Sequence, residues 1–151
     1  MHLRPATTED LKTIVTWIAD GEACRTWAGP VVRFPLNPEE LGHDIEFEPG
    51  NSYSLVEDKA IIAFGQLIRK SQKRLHMARF IVAPGKRASG VGRQWSRELI
   101  ALAWKNGCEI LSLNVYRDNI AAQSLYTSTG FKEAVEKSTP ELCHMIIHRQ
   151  R

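Results

Sequence analysis

The sequence predicts an α/β fold of the α+β kind, with about seven strand-like and four helix-like segments. Three observations carry that expectation. Between Ser52 and Val82, three β-rich runs follow one another across short turns, the mark of an antiparallel meander. The apolar run that reaches Val82 then stops at Ala83-Pro84-Gly85 and gives way to a glycine-spaced loop opening an amphipathic helix. From Ile110 to His148 the pattern reads strand, helix, strand, strand. With 151 residues there is material for one domain with a proper core and little room for a second, so residues 1–151 are expected to form a single domain.

Taken in order, Leu3 to Ala6 reads as a first strand. Thr7, followed three residues later by Asp10, is a helix N-cap signature, with Asp10 a poorer capping-box partner than glutamate. Leu11, Ile14, Val15 and Ile18 fall at helical spacing, which predicts a first helix over roughly 8–19. From Asp20 to Pro38, Gly21, Gly29, Pro30, Pro35 and Pro38 break any long element, yet Trp27, Val31, Val32 and Phe34 are costly to leave in water. The expectation is an aromatic-rich loop that packs over the domain or walls a pocket. Asn37 then caps a helix over 38–47, with Pro38 at the favoured first position.

Pro49-Gly50-Asn51 is a turn, and 52–56 with 60–69 reads as a hairpin about Glu57-Asp58-Lys59. The strand 74–82 feeds the glycine loop. The helix 90–105 carries Val91, Trp95, Leu99 and Leu102 on one face and closes at Asn106-Gly107. Trp95 reads as core. The run 110–115 is apolar enough for a strand buried on both faces. Asp118 is the expected N-cap of a helix over 119–128 that ends at Gly130, and 131–135 and 142–148 complete the strands.

Composition excludes several classes. Hydrophobic residues make up 43% and charged residues 25%, the balance of a globular protein. The net charge of +3 suits an anionic ligand but is too small and scattered for nucleic-acid binding. No apolar run approaches the ~20 residues of a membrane span, and the N-terminal stretch lacks the apolar core of a signal peptide. Cys24, Cys108 and Cys143 stand far apart in no ligand spacing, so no metal site is expected. Reduced thiols and a cytoplasmic location fit best.

The chemistry concentrates in Arg87-Ala88-Ser89-Gly90-Val91-Gly92. Gly90 and Gly92 let backbone approach a bulky anion without a Cβ in the way, and the first-turn N–H groups of the following helix suit phosphate. The loop is no Walker motif, because Arg93-Gln94 follows Gly92. Nor does it complete G-x-G-x-x-G, since Trp95 stands where the third glycine belongs. It resembles the Arg/Gln-x-x-Gly-x-Gly/Ala loop of the GNAT superfamily of N-acetyltransferases, which holds the pyrophosphate of coenzyme A. A second stretch, Asn119-x-x-Ala122-x-x-Leu125-Tyr126-x-x-x-Gly130-Phe131, follows in that family's order and spacing. The opening Leu3-Arg4-Pro5-Ala6-Thr7 also looks like the start of many GNAT chains, so the resemblance runs from about Leu3 to His148.

The resemblance implies a mixed central sheet in which two parallel strands, here 74–82 and 110–115, splay apart to admit the pantetheine arm. It implies acetyl-CoA as donor, held by the backbone of Phe80, Ile81 and Val82. Arg87, Ala88, Ser89, Gly90, Val91, Gly92 and Arg93 would form the pyrophosphate cradle, and Asn119 would reach the pantetheine. The acceptor would lie under the Glu22–Phe34 loop, with Trp27 and Phe34 as an apolar wall and Glu22 and Arg33 for polar orientation. That acceptor is a small-molecule or peptide amine, with neither nucleic acid nor membrane as partner, and the chain a monomer or homodimer.

Acetyl transfer to a primary amine by direct attack in a ternary complex makes three demands. The amine, with an ordinary pKa near ~10, must lose a proton before it attacks. The developing oxyanion needs a donor, which a strand N–H near Ile81 can supply. The leaving thiolate needs a proton, and Tyr126 matches the family's general-acid tyrosine. For the base, related enzymes carry glutamate at positions matching Asn114 or His76. Asparagine cannot serve, which leaves His76 or a water chain. A different class of function, a non-catalytic acyl-CoA-binding or sensing module, fits the same motifs.

Overall fold

The computed structural model describes residues 1–150. Seven strands and five α-helices follow one another along it: β1 (His2–Pro5), α1 (Thr8–Ile14), α2 (Gly21–Ala28), α3 (Pro38–Asp44), β2 (Ser52–Glu57), β3 (Ala60–Arg69), β4 (Arg74–Val82), α4 (Val91–Lys105), β5 (Ile110–Tyr116), α5 (Ile120–Ser128), β6 (Lys132–Glu133) and β7 (Leu142–His148). The strands follow the order β1-β2-β3-β4-β5-β7-β6 in one mixed sheet. All neighbouring pairs described here are antiparallel except β4 and β5, which run parallel. The parallel register covers Arg74↔Ile110 to His76↔Ser112, whereas β5 pairs with β7 along its whole length. The parallel pair therefore stays together for only three rungs.

By internal contacts the chain divides into two compact units. The first comprises Met1–Gln66 and Arg79–Val91. Its core gathers Leu11, Ile14, Cys24, Leu41, Ile45, Phe64 and Ile81. Leu11 and Ile14 come from one face of α1, as the periodicity predicts, but the α-helix ends at Ile14 and a single 3-10 turn, Val15–Trp17, completes it. Consecutive Val15 and Thr16 are poor helix formers because their branched Cβ atoms crowd the preceding turn.

The stretch read as a loop contains α2. Asp20 caps it by accepting from the Ala23 N–H at 2.8 Å, and Gly29, with φ of +77°, ends it. The two glycines taken as breakers sit at the helix's ends rather than inside it. Asn37 caps α3 as expected, accepting from the Glu39 N–H at 2.9 Å.

The second unit comprises Leu67–Ala78 and the described residues from Gly92 onward. Trp95, Leu99 and Ala103 project from one face of α4 and are fully buried, with Leu111 and Leu113 of β5 equally enclosed. Only one face of β5 is fully apolar: Leu111, Leu113 and Val115 are buried, while Asn114 on the other face is exposed. Ser112 is buried too, but as a polar group with a partner. The cap of α5 is Asn119, not Asp118: Asn119 Oδ1 accepts from the Ala122 N–H at 3.2 Å. Gly130 follows that helix with φ of +110°, and a Cβ there would stand 2.9 Å from Ile147 Cδ1. The strand expected over 131–135 shrinks to Lys132–Glu133, after which Val135–Lys137 makes a 3-10 turn.

Candidate active site

Strand β4 leads directly into the glycine loop. Its alternation does not run unbroken from His76 to Val82, because Arg79 adopts a left-handed φ of +50°. His76 and Ala78 therefore do not continue onto one face with Phe80 and Val82, since a strand's two-residue period requires extended backbone throughout. The kink has a local anchor. Arg79 Nη1 donates to Ile45 O and to Gln66 Oε1, each at 3.1 Å, and Arg79 O accepts from the Trp27 indole at 2.9 Å.

Within the first unit, Pro84–Lys86 forms a 3-10 turn, and Arg87 folds back so that its Nε donates to Val82 O at 3.0 Å. Arg87 thus ties the end of Phe80-Ile81-Val82 to the loop. Lys86 reaches Glu57 at 2.6 Å, and Ser89 Oγ donates to Lys86 O, closing the loop on itself. Residues 87–90 are all exposed.

Ala88 and Gly90 take φ of +59° and +87° on either side of Ser89. Such reversals turn neighbouring N–H groups toward one concavity, a geometry that binds anions. Gly90 satisfies its φ without strain, and no atom lies within 4 Å of where its Cβ would be. Val91 then opens α4, and its first-turn N–H groups have no acceptor inside the helix. Gly92 sits in that first turn, where alanine would be more favourable by about 1 kcal/mol. A glycine kept at that cost fits close approach by a bulky anion. The residues present therefore fit a pyrophosphate.

The four residues expected around the acceptor have different surroundings. Phe34 is 44% exposed, and its ring lies beside Gly21, within 3.8 Å of a Cβ built there. Glu22, next along α2, is exposed. Trp27 is half-buried, packed on the first unit's core and held by Arg79. Arg33 is drawn instead to α3, where it grips Asp44 with two hydrogen bonds of 2.9 and 3.2 Å and also pairs with Glu40.

In the second unit, Tyr126 is buried on α5 with Phe131 edge-on at 5.9 Å between ring centroids. Burial pushes its phenol well above the ordinary value, so it stays protonated. Arg93 is exposed on the first turn of α4. Asn119 spends its amide oxygen on capping α5, which leaves its NH₂ group for any ligand.

His76 Nδ1 lies 2.8 Å from Ser112 Oγ on β5. Its ring stacks on that of His144 at 6.3 Å and 18°. His144 Nδ1 in turn is 2.7 Å from Asn114 Oδ1. Sequence reading missed His144, because nothing within β7 marks it; its neighbours come from β4 and β5.

The family model for the acetyltransferase (GNAT) family matches residues 21–131. Solved structures share the fold. A ribosomal-protein-alanine N-acetyltransferase from Brucella melitensis is 18% identical, with 99% of this chain and 100% of that one covered and a TM-score of 0.77. The PaiA N-acetyltransferase from Thermoplasma acidophilum, in complex with coenzyme A, is 20% identical over 98% of both chains, also at 0.77. The ribosomal-protein-S18-alanine N-acetyltransferase from Escherichia coli is 21% identical, with 99% and 94% covered and a TM-score of 0.74. With a family model spanning well over half its length, this chain belongs to the GNAT family of acetyltransferases.

Proposed function

We propose that the chain, over all 151 residues, serves as one acyltransferase domain that moves an acetyl group from acetyl-CoA to a primary amine by direct attack in a ternary complex. The observation that carries this reading is the exposed loop at the mouth of α4, in a member of a family of acetyltransferases. There Ala88 and Gly90 reverse the backbone and Gly92 strips the first helical turn of a side chain. Bound to this chain, acetyl-CoA supplies a thioester-activated acetyl group and a thiolate leaving group.

The residues divide the remaining work. Backbone N–H groups from Ala88 to Arg93, with the α4 dipole, hold the pyrophosphate, and Arg87 braces the loop. The backbone of Phe80, Ile81 and Val82 hydrogen-bonds the pantetheine arm and acyl carbonyl, and the Asn119 NH₂ adds a donor. Tyr126, kept protonated by burial, carries the proton that the departing sulfur takes up. Glu22, Trp27, Arg33 and Phe34 orient the acceptor, Arg33 while held by Asp44 of α3. The face bearing His76 takes the amine's proton. Direct attack is favoured over an acyl-cysteine route because Cys24, Cys108 and Cys143 are all buried.

Acceptor classes worth screening are alanine-terminated peptides, polyamines, amino acids and aminoglycosides. The test couples a thermal-shift panel (acetyl-CoA, CoA, ATP, NAD) to thiol release with each amine. Stabilisation by acetyl-CoA and CoA with turnover of at least one amine is expected. Stabilisation without turnover of any amine would leave a non-catalytic acyl-CoA-binding module.

A further inference from the structure

Two rungs of the second unit put four polar side chains on one sheet face. His76 opposes Ser112 across the parallel pair, and Asn114 opposes His144 across the antiparallel pair. Directly opposed residues share a face, and Ser112 and Asn114, two apart on β5, share it as well. This is the more open face of β5.

The two histidines differ in what their partners dictate. Ser112 Oγ can donate or accept, so it leaves the tautomer of His76 open. Asn114 Oδ1 can only accept, so the 2.7 Å contact requires hydrogen on His144 Nδ1. In the neutral ring Nε2 then carries the lone pair. That atom is buried and has no hydrogen-bond partner among the described residues. Leaving such an acceptor unsatisfied costs stability, and an apolar residue would fill the space without that cost.

The backbone that carries the ring is also held firmly. The His144 N–H donates to Ser138 Oγ at 3.0 Å, and its carbonyl accepts from the Ala134 N–H at 2.7 Å. The groups acting on it are the stacked His76 and Arg74 of β4, with Glu136 and Lys137 of the turn after β6. Burial first, then Lys137 and Arg74, hold the imidazole below the ordinary histidine value against the smaller pull of Glu136. The ring is therefore neutral, and able to accept a proton, at physiological pH.

We propose that His144 Nε2 is the proton acceptor for the amine, and that Asn114 is the positioning residue that fixes its tautomer. The assignment rests on the acetyl-transfer reading above. An N–H bond of the ammonium breaks and an Nε2–H bond forms, directly or through one water. The resulting imidazolium keeps Nδ1–H on Asn114 and later releases the proton to solvent. Asn114, which cannot itself serve as a base, gains a role through the ring it orients.

Two measurements test this. Side-chain ¹⁵N spectra of the free protein should show His144 as the Nδ1–H tautomer, titrating below an ordinary histidine; an Nε2–H tautomer would overturn the proposal. The pH profile of kcat/KM is the second. His144→Gln should lower kcat/KM by ~10²–10⁴-fold at neutral pH and remove the acidic limb, with acetyl-CoA affinity retained. Asn114→Asp, which places a carboxylate beside Nδ1–H and stabilises the imidazolium, should move the acidic limb to higher pH. If wild type turns over and His144→Gln keeps both rate and limb, the base lies elsewhere while the transfer reading stands. Loss of the limb in His76→Gln alone likewise overturns the proposal by giving the role to His76. A wild-type chain that binds acetyl-CoA but acetylates no amine removes the transfer reading, and His144 with it.

Discussion

The molecule holds two kinds of buried polar cluster, and they are built on different rules. In the first unit Asp10 is enclosed, yet every bond it can use is made. Arg4 grips both its oxygens at 2.7 and 3.0 Å, the Thr7 N–H donates at 3.0 Å and the Ser54 hydroxyl at 2.9 Å. Gln66, also fully buried in the first unit, donates to Ile45 O and Ser52 Oγ and accepts from Arg79. In the second unit His144 has one nitrogen fixed and the other left over. A satisfied cluster ties β1, α1 and β2 together and has nothing to offer a ligand. An unsatisfied one costs stability, and that cost calls for another purpose.

Substitutions in the two kinds of cluster should differ in what they cost and by how much. The largest effect belongs to Tyr126, the other buried polar side chain assigned to chemistry. Tyr126→Phe should lower kcat by ~10²–10⁴-fold while moving KM for acetyl-CoA far less, and a loss under about threefold would return it to mere packing.

Asp10 should behave in the opposite way. Asp10→Asn should cost about 1.5–3 kcal/mol by urea unfolding, with turnover per folded molecule unchanged. Its pH dependence follows from the direction of the shift. Burial alone would raise the Asp10 pKa, but the bonds from Arg4, Thr7 and Ser54 outweigh burial and hold it below the ordinary value. The stabilisation is thus full well above the unfolded pKa of about 3.9 and is lost as pH falls through the lower folded value. The gap between wild type and Asp10→Asn should therefore hold at neutral pH and close in acid. A gap unchanged down to about pH 2 would show that the carboxylate charge is not what holds the cluster.

A smaller effect separates the two loop glycines. Gly90→Val forces a branched residue into φ of +87°, and Gly92→Val fills the first helical turn. Both should weaken acetyl-CoA binding in calorimetry with the fold retained. Gly92→Ala should gain up to about 1 kcal/mol of stability while losing affinity. Unchanged affinity in both valine variants would remove the cradle. The smallest effect is expected at Trp27: Trp27→Ala should raise acceptor KM, and a change confined to acetyl-CoA affinity would place that part of the chain elsewhere.

What was legible in the sequence followed from local rules. The bounds of β3, β4 and β7 are those the alternation and turns predict, and the glycine loop and Tyr126 were found by motif. The element missed was α2, where Gly21 and Gly29 read as breakers although they occupy helix ends and Asp20 supplies the cap. Asp118 and Asn119 are equally good caps by type, and only the structure separates them. The kink at Arg79 depends on Gln66 and Ile45, 13 and 34 residues away, and no pattern within β4 announces it. His144 is the extreme case. Its tautomer is set by Asn114 on another strand, 30 residues earlier, so its chemistry exists only once register is known.

The measurement that bears most directly on acetyl transfer is a single turnover with acetyl-labelled acetyl-CoA and an amine from the productive class. Direct attack predicts that the label passes to the amine in one phase as a stable amide, with none on quenched protein at any time. Label caught on Cys24, Cys108 or Cys143 before the amide appears, or label that stays on bound acetyl-CoA with every amine, would contradict it.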